Sequence, residues 1–173
     1  PGAYDLEHVL AADAPRVHET GNLIREFAVA RGDVDAARQA AEVVLEETFR
    51  IGGQEHGYLE PQGCLVIPGH GGSLTIQASC QCPFYVRGSV AKLLGIPLGD
   101  VRVIQAPTGG GFGGKEDYPS EVAACAAVLA RATRRPVRLV LPRELDFQAS
   151  TKRHRMTVRH RLYATAAGRV LGV

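Results

Sequence analysis

The residues with the clearest chemical content are Gly109-Gly110-Gly111-Phe112-Gly113-Gly114-Lys115-Glu116. Glycines at five of six positions strip side chains from the backbone and leave bare N–H groups for a large polar partner. A lysine and a carboxylate follow at once. Read as G-x-x-x-x-G-K-[S/T], the run holds from Gly109 to Lys115, but Glu116 stands where a hydroxyl must hold magnesium. Read as G-x-G-x-x-G, it matches at Gly109, Gly111 and Gly114. The ribose-binding acid such a motif requires then comes late, with Glu144 the only candidate. A nucleotide- or phosphate-binding module using this loop is therefore the alternative reading.

A third reading takes in the upstream chain. IGGQEHGYLEPQG (51–63) sets the neutral amide Gln54 after two glycines and the carboxylate Glu60 before a proline. SCQCPFYVRGSVAKLLGIP (79–97) follows, and then VRVIQAPTGGGFGGKE. Taken together, and with NLIREFAVARGDVDAA earlier and STKRHR later, this order resembles the molybdenum-binding large subunit of the xanthine dehydrogenase and aldehyde oxidase family. The resemblance runs from Val17 to the end of the chain.

That resemblance implies an oxidoreductase that hydroxylates a carbon next to a heteroatom, with water as oxygen source. Its substrate is a purine-like N-heterocycle or an aldehyde. The cofactor is molybdenum on molybdopterin, with the cytosine dinucleotide form left open, and the metal takes no direct ligand from the protein. Gln54 matches the glutamine whose amide donates to a molybdenum oxo ligand, and Phe112 matches a position whose backbone N–H does the same. Gly111 and Gly113 would line the cofactor. Glu116 matches a substrate-contacting glutamate and tilts the choice towards an N-heterocycle; a carboxylate capping the next helix is the equal alternative. Gln81 matches a position near the pterin, although Cys80 and Cys82 depart from the usual neighbours. His56 and Glu60 are expected to fix their loop, and Lys115 to be a supporting or a surface charge. Arg155 stands where the family usually has proline. The glutamate base of the family belongs to a glycine-rich motif that this sequence does not contain, so no catalytic residue is assigned and the isolated chain is expected to be inactive. Iron–sulfur clusters and FAD are expected on other domains or subunits, which would be its partners together with the rest of the molybdopterin-binding subunit.

Positioning these residues requires strands alternating with helices, a mixed α+β architecture. Asp33 reads as the N-cap of a helix to Glu42, and EVVLEETFRI as a strand. CLVIPG and SLTIQAS read as a hairpin, and Pro83 opens a helix that Gly95 stops. A strand from Asp100 to Gln105 feeds the glycine run. A helix over 117–131, a strand over 136–141, a short helical turn at RELDF and two final strands complete the pattern. Residues 1–35 read as a connector, and 36–173 as the first part of a molybdopterin-binding domain truncated at its C-terminus. An opening Pro1 and an end inside an apolar strand pattern both read as a piece of a longer protein.

Composition agrees with an ordinary globular chain: 173 residues, 45% hydrophobic and a net charge of +2. Residues 1–60 hold 12 of the 18 acids, and 131–161 hold 10 of the 20 basic residues. With aromatics at 6% and no Trp, the basic stretch reads as a face for another acidic domain in preference to nucleic acid. Cys64, Cys80, Cys82 and Cys125 lack zinc spacing and read as free thiols of a cytoplasmic protein, with Cys125 as a small buried hydrophobe. No apolar run reaches the length of a membrane span.

Overall fold

The structure, a computed structural model, describes residues 8–173. The part of the connector reading that falls on residues 1–7 lies outside them. The fold is α+β, and the chain divides into two compact units: one runs up to Gly52 and includes His154–Val173, and the other is Gly53–Arg153.

In the first unit, residues 8–33 carry turns and extended chain without a helix or strand. The Asn22 side chain ties them, donating to the carbonyls of Val9 and Pro15 at 2.7 and 2.9 Å. Helix α1 (Val34–Ala40) begins where expected, because the Asp33 carboxylate accepts from the Ala36 N–H at 2.9 Å. Strand β1 (Val43–Ile51) pairs antiparallel with β6 (Met156–Ala164), which pairs with β7 (Val170–Gly172). Cross-strand neighbours Leu45–Leu162, Phe49–Val158 and Ile51–Met156 share one face, while Glu46 and Arg161 pair at 2.8 Å on the other.

The second unit holds the core. Its sheet has the order β4-β3-β2-β5, from Val101–Gln105, Leu74–Ala78, Gly63–Pro68 and Val137–Val140. β2–β3 is the expected hairpin, β2–β5 is antiparallel, and β3–β4 is parallel. Alternation is strict where helices cover the sheet: Cys64 and Val66 on β2, and Leu74, Ile76 and Ala78 on β3, are buried. Helix α2 (Pro83–Leu94) is the crossover between the parallel strands, ended by Gly95 at φ +63°. Helix α3 (Tyr118–Thr133) lays Val122, Ala123, Ala126, Ala127 and Ala130 on the same core, the i, i+3, i+4 stripe of an amphipathic helix. Small alanines let it approach the sheet closely. α4 (Arg143–Ala149) is two turns, longer than the single turn expected at RELDF.

Two expectations change. Cys125 sits on the solvent side of α3 and is exposed, because the alanines, not the cysteine, occupy its core stripe. The dinucleotide-binding arrangement fails too. After β4 and α3 the chain enters β5, which lies at the far edge of the sheet against β2, so no parallel neighbour follows, and Glu144 lies in α4.

Candidate functional site

The parallel pair β3–β4 places two loops side by side at the carboxyl ends of its strands. One runs from Ser79 to the start of α2, and the other is the glycine run before α3. Since β2 is antiparallel to β3, its amino end at Gly63 lies at that same edge, where the Ser79 N–H donates to the Gly63 carbonyl at 3.2 Å. The segment 54–62 therefore joins the cluster. Loops beyond the carboxyl ends of parallel strands are where α/β sheets hold ligands.

The glycine run is anchored at both ends. The Gly109 N–H donates to the Glu60 carboxylate at 2.8 Å, and the Leu59 N–H to the Gly109 carbonyl at 3.4 Å. At the other end the Gln81 side-chain carbonyl accepts from the N–H groups of Gly113 (3.0 Å) and Lys115 (3.2 Å). The Gln81 N–H returns a bond to the Lys115 carbonyl at 2.7 Å, and Gly114 closes a turn onto the Gly111 carbonyl at 2.7 Å. Between these anchors, the N–H groups of Gly110, Gly111 and Phe112 donate to no group among the described residues.

Two glycines are required by close packing. A Cβ on Gly111 would stand 2.4 Å from Gln81 Oε1, and one on Gly114 would stand 2.6 Å from His56 Nδ1 and 2.8 Å from Tyr58. Phe112 has φ +52°, the left-handed region that a bulky residue seldom adopts, and its side chain is 73% exposed. Such strain, about 1–3 kcal/mol, persists where surrounding contacts over-determine the backbone.

Lys115 is not at the surface. It is fully buried, with Nζ donating to Glu60 Oε1 at 2.7 Å and Ser79 Oγ at 2.8 Å, and lying 4.5 Å from the Tyr58 ring centroid. Glu60 is where the expectation placed it, fixing the loop. Burial would raise its pKa, but the Lys115 ammonium, the Gly109 N–H and the Ser79 hydroxyl outweigh that and hold it at about 2. Below the pair, Tyr58 donates to the buried Asp146 carboxylate at 2.9 Å, and Gln62 donates to Tyr58 at 3.0 Å and to the Gly114 carbonyl at 2.7 Å. Arg143 reaches the Leu59 carbonyl and the Asp146 carboxylate. Sequence reasoning missed this network; the signal was the polar series Tyr58, Glu60, Gln62 at alternate positions ahead of an apolar strand.

Gln54 is exposed, its backbone paired in both directions with Arg153 and its amide donating to the Glu55 carbonyl at 3.3 Å. Glu55 is paired with Lys152 at 2.8 Å. Two residues on, His56 packs against the glycine run at Gly114. Gly111 is buried, Gly113 partly so, and Glu116 is exposed. The cap position of α3 belongs to Asp117 and makes no side-chain bond, so Glu116 does not cap the helix. No group of three or more His, Cys, Asp or Glu able to hold a metal exists among the described residues.

These features suit a ligand held by backbone and amide donors. They do not suit a triphosphate, because the lysine such a loop needs is buried in an ion pair and the N–H groups of Gly109, Gly113 and Lys115 are occupied. The arrangement is thus a loop cluster with free backbone donors at the carboxyl ends of two parallel strands. The family model described as molybdopterin cofactor-binding domain matches residues 17–173, and the chain belongs to that family. It is 38% identical over 172 residues to the nicotinate dehydrogenase large molybdopterin subunit of Eubacterium barkeri, covering 99% of this chain and 40% of that protein. It is 35% identical over 167 residues to aldehyde oxidase 2 of Rattus norvegicus, covering 96% of this chain and 12% of that protein. The crystal structure of quinoline 2-oxidoreductase from Pseudomonas putida 86 matches with a TM-score of 0.81 at 25% identity, over 98% of this chain and 22% of that one. The chain spans less than half the length of these relatives. No helix among the described residues is long and apolar enough to cross a membrane.

Proposed function

We propose that this chain supplies the cofactor floor of a molybdenum hydroxylase, with Gln54, Gly111, Phe112 and Gly113 against the cofactor and Glu116 facing substrate. The observation that carries this reading is the set of three consecutive N–H groups, Gly110 to Phe112, without a partner among the described residues and held between two anchored ends. Donors without counter-charges match a cofactor whose oxo group accepts hydrogen bonds. When bound, molybdenum on its pterin supplies a two-electron acceptor for oxidising a carbon beside a heteroatom, with water as the oxygen source. The Gln54 amide and the Phe112 N–H hold and orient that group; a carboxylate at position 54 would repel it. Glu116, exposed beside the run, is free to accept from a ring N–H, which favours an N-heterocycle over an aldehyde. The names of the relatives divide between the two, so Glu116 is the local determinant.

The domain is read as a connector over 1–35 followed by a molybdopterin-binding portion over 36–173, completed by further chain that brings the base. Iron–sulfur and FAD domains or subunits would carry electrons away, in the cytoplasm, with the pterin bare or as the cytosine dinucleotide.

Metal analysis and pterin fluorescence of the full-length protein should find one molybdenum per site. Gln54→Ala should lower turnover per molybdenum by about 10²-fold, the usual cost of one lost donor at a developing charge. Unchanged turnover, or a full-length protein free of molybdenum, rejects the assignment. The 173 residues alone should not reduce a dye with hypoxanthine or an aldehyde, and turnover by them would place a base within this sequence.

A further inference from the structure

We propose that Gln81 is a positioning residue for the Phe112 N–H, acting through its side-chain carbonyl as a clamp on the far half of the glycine run. The inference rests on the reading of Phe112 as a cofactor donor. Its observation is separate: Gln81 Oε1 accepts from two N–H groups two residues apart, Gly113 at 3.0 Å and Lys115 at 3.2 Å. Its backbone N–H meanwhile donates to the Lys115 carbonyl at 2.7 Å. Three bonds from one residue thus fix the chain from Gly113 to Lys115.

The consequence falls on the residue just before them. Phe112 is held at φ +52° with its side chain 73% exposed, so burial of the ring does not impose that conformation. The clamp on Gly113 and the turn from Gly114 to the Gly111 carbonyl, at 2.7 Å, bracket Phe112 from both sides. Its N–H is left without a partner among the described residues, whereas those of Gly113, Gly114 and Lys115 are consumed. Gly111 is bare for a related reason: a Cβ there would meet Gln81 Oε1 at 2.4 Å, Cδ at 2.6 Å and Cγ at 2.8 Å. The glutamine lies flush under the run and reaches both of its acceptor bonds only because that carbon is missing. An amide suits the task, since its carbonyl takes two donors without adding a charge beside the unpaired N–H groups.

Removing the carbonyl would free Gly113 and Lys115 while leaving the Glu60 anchor at Gly109, so the run would pivot and the Phe112 N–H would lose its direction. A misplacement of about 1 Å at such a donor costs on the order of 10²-fold in rate. The loss should appear in kcat and leave KM near its original value, because Gln81 is assigned no contact with substrate.

The test uses the full-length, cofactor-loaded protein and three variants. Gln81→Met keeps the length and removes the acceptor. Gln81→Glu keeps the acceptor. Gly111→Ala displaces the carbonyl with Gln81 intact, and its backbone does not need a positive φ. Amide hydrogen exchange is read at Gly113 and Lys115, with molybdenum content and kcat per molybdenum beside it. Expected is faster exchange and a ten- to hundredfold lower kcat per molybdenum in Gln81→Met and Gly111→Ala, with slow exchange restored in Gln81→Glu and kcat restored in part, because the carboxylate keeps the acceptor but adds a charge. Unchanged exchange in Gln81→Met overturns the clamp. So does faster exchange with kcat per molybdenum unchanged, because the clamp would then serve packing alone. Gln54→Ala is run in parallel: unchanged turnover per molybdenum there rejects the reading of the site even if exchange in Gln81→Met is faster, whereas lowered turnover there with unchanged exchange in Gln81→Met rejects the clamp alone.

Discussion

Lys115 and Glu60 form an ion pair at 2.7 Å beside the glycine run, and the two ends of that contact differ. The ammonium is fully buried, whereas the carboxylate keeps a third of its side-chain surface exposed. Glu60→Ala leaves a buried cation without a counter-charge and should cost about 3–5 kcal/mol. Lys115→Met leaves a carboxylate that still accepts from Gly109 and Ser79 and meets water, so its cost should be about 1–2 kcal/mol. Denaturant unfolding of the two variants checks the order, and a smaller loss for Glu60→Ala would refute it. At this scale the sequence was partly legible. Gln54, Phe112 and Glu116 were singled out from motif and resemblance. Lys115 was open between a supporting and a surface charge, because only the fold reveals that a residue 55 positions away supplies its partner. Gln81 was matched only to a position near the pterin, for the same reason: its bond is to a loop 32 residues on.

Among the elements, β3 and β4 and the loops that follow them carry the site, and their signals were strong. Pro83 and Gly95 bound α2, and Asp33 caps α1, each by a local rule that tertiary context did not override. Pairing was less legible. Nothing in the 137–140 strand says that it joins β2 antiparallel at the opposite edge, because register comes from packing under α3 and not from the strand's own residues. The loop network also sets an acid response. Glu60 has its pKa held at about 2 against an ordinary 4.5, so its contribution is fully present above about pH 4.5 and is lost as pH falls towards 2. Glu55 is shifted in the same direction: burial works against it, but Lys152 and the N–H groups of Gly57 and His56 prevail. Stability measured in urea should therefore drop as pH falls from about 4.5 towards 2, and Glu60→Gln should flatten that slope. An equal slope in the variant would show that other carboxylates govern acid unfolding.

For the whole molecule, one face of the β1–β6 pair stands out. Leu45, Phe49, Met156 and Val158 are 57, 53, 43 and 40% exposed, and adjacent strands align them. A contiguous apolar strip of this kind marks a contact surface or an association hazard. The 173-residue chain produced alone should bind a hydrophobic dye and elute above its 18.5 kDa mass as concentration rises. Leu45→Lys combined with Val158→Lys should return it to a monomer. Monomeric elution of the unmodified chain at all concentrations would show that the strip is harmless. Strand alternation made this face visible in the sequence, but whether it would be covered depended on long-range packing that no local pattern encodes.

Every bond that shapes the cradle is made by the polypeptide to itself, between Glu60, Ser79, Gln81 and the glycine run. The glycine run is thus tied down by contacts that folding itself makes. The entropy of ordering that loop is spent during folding, which leaves less to be lost when a ligand binds there.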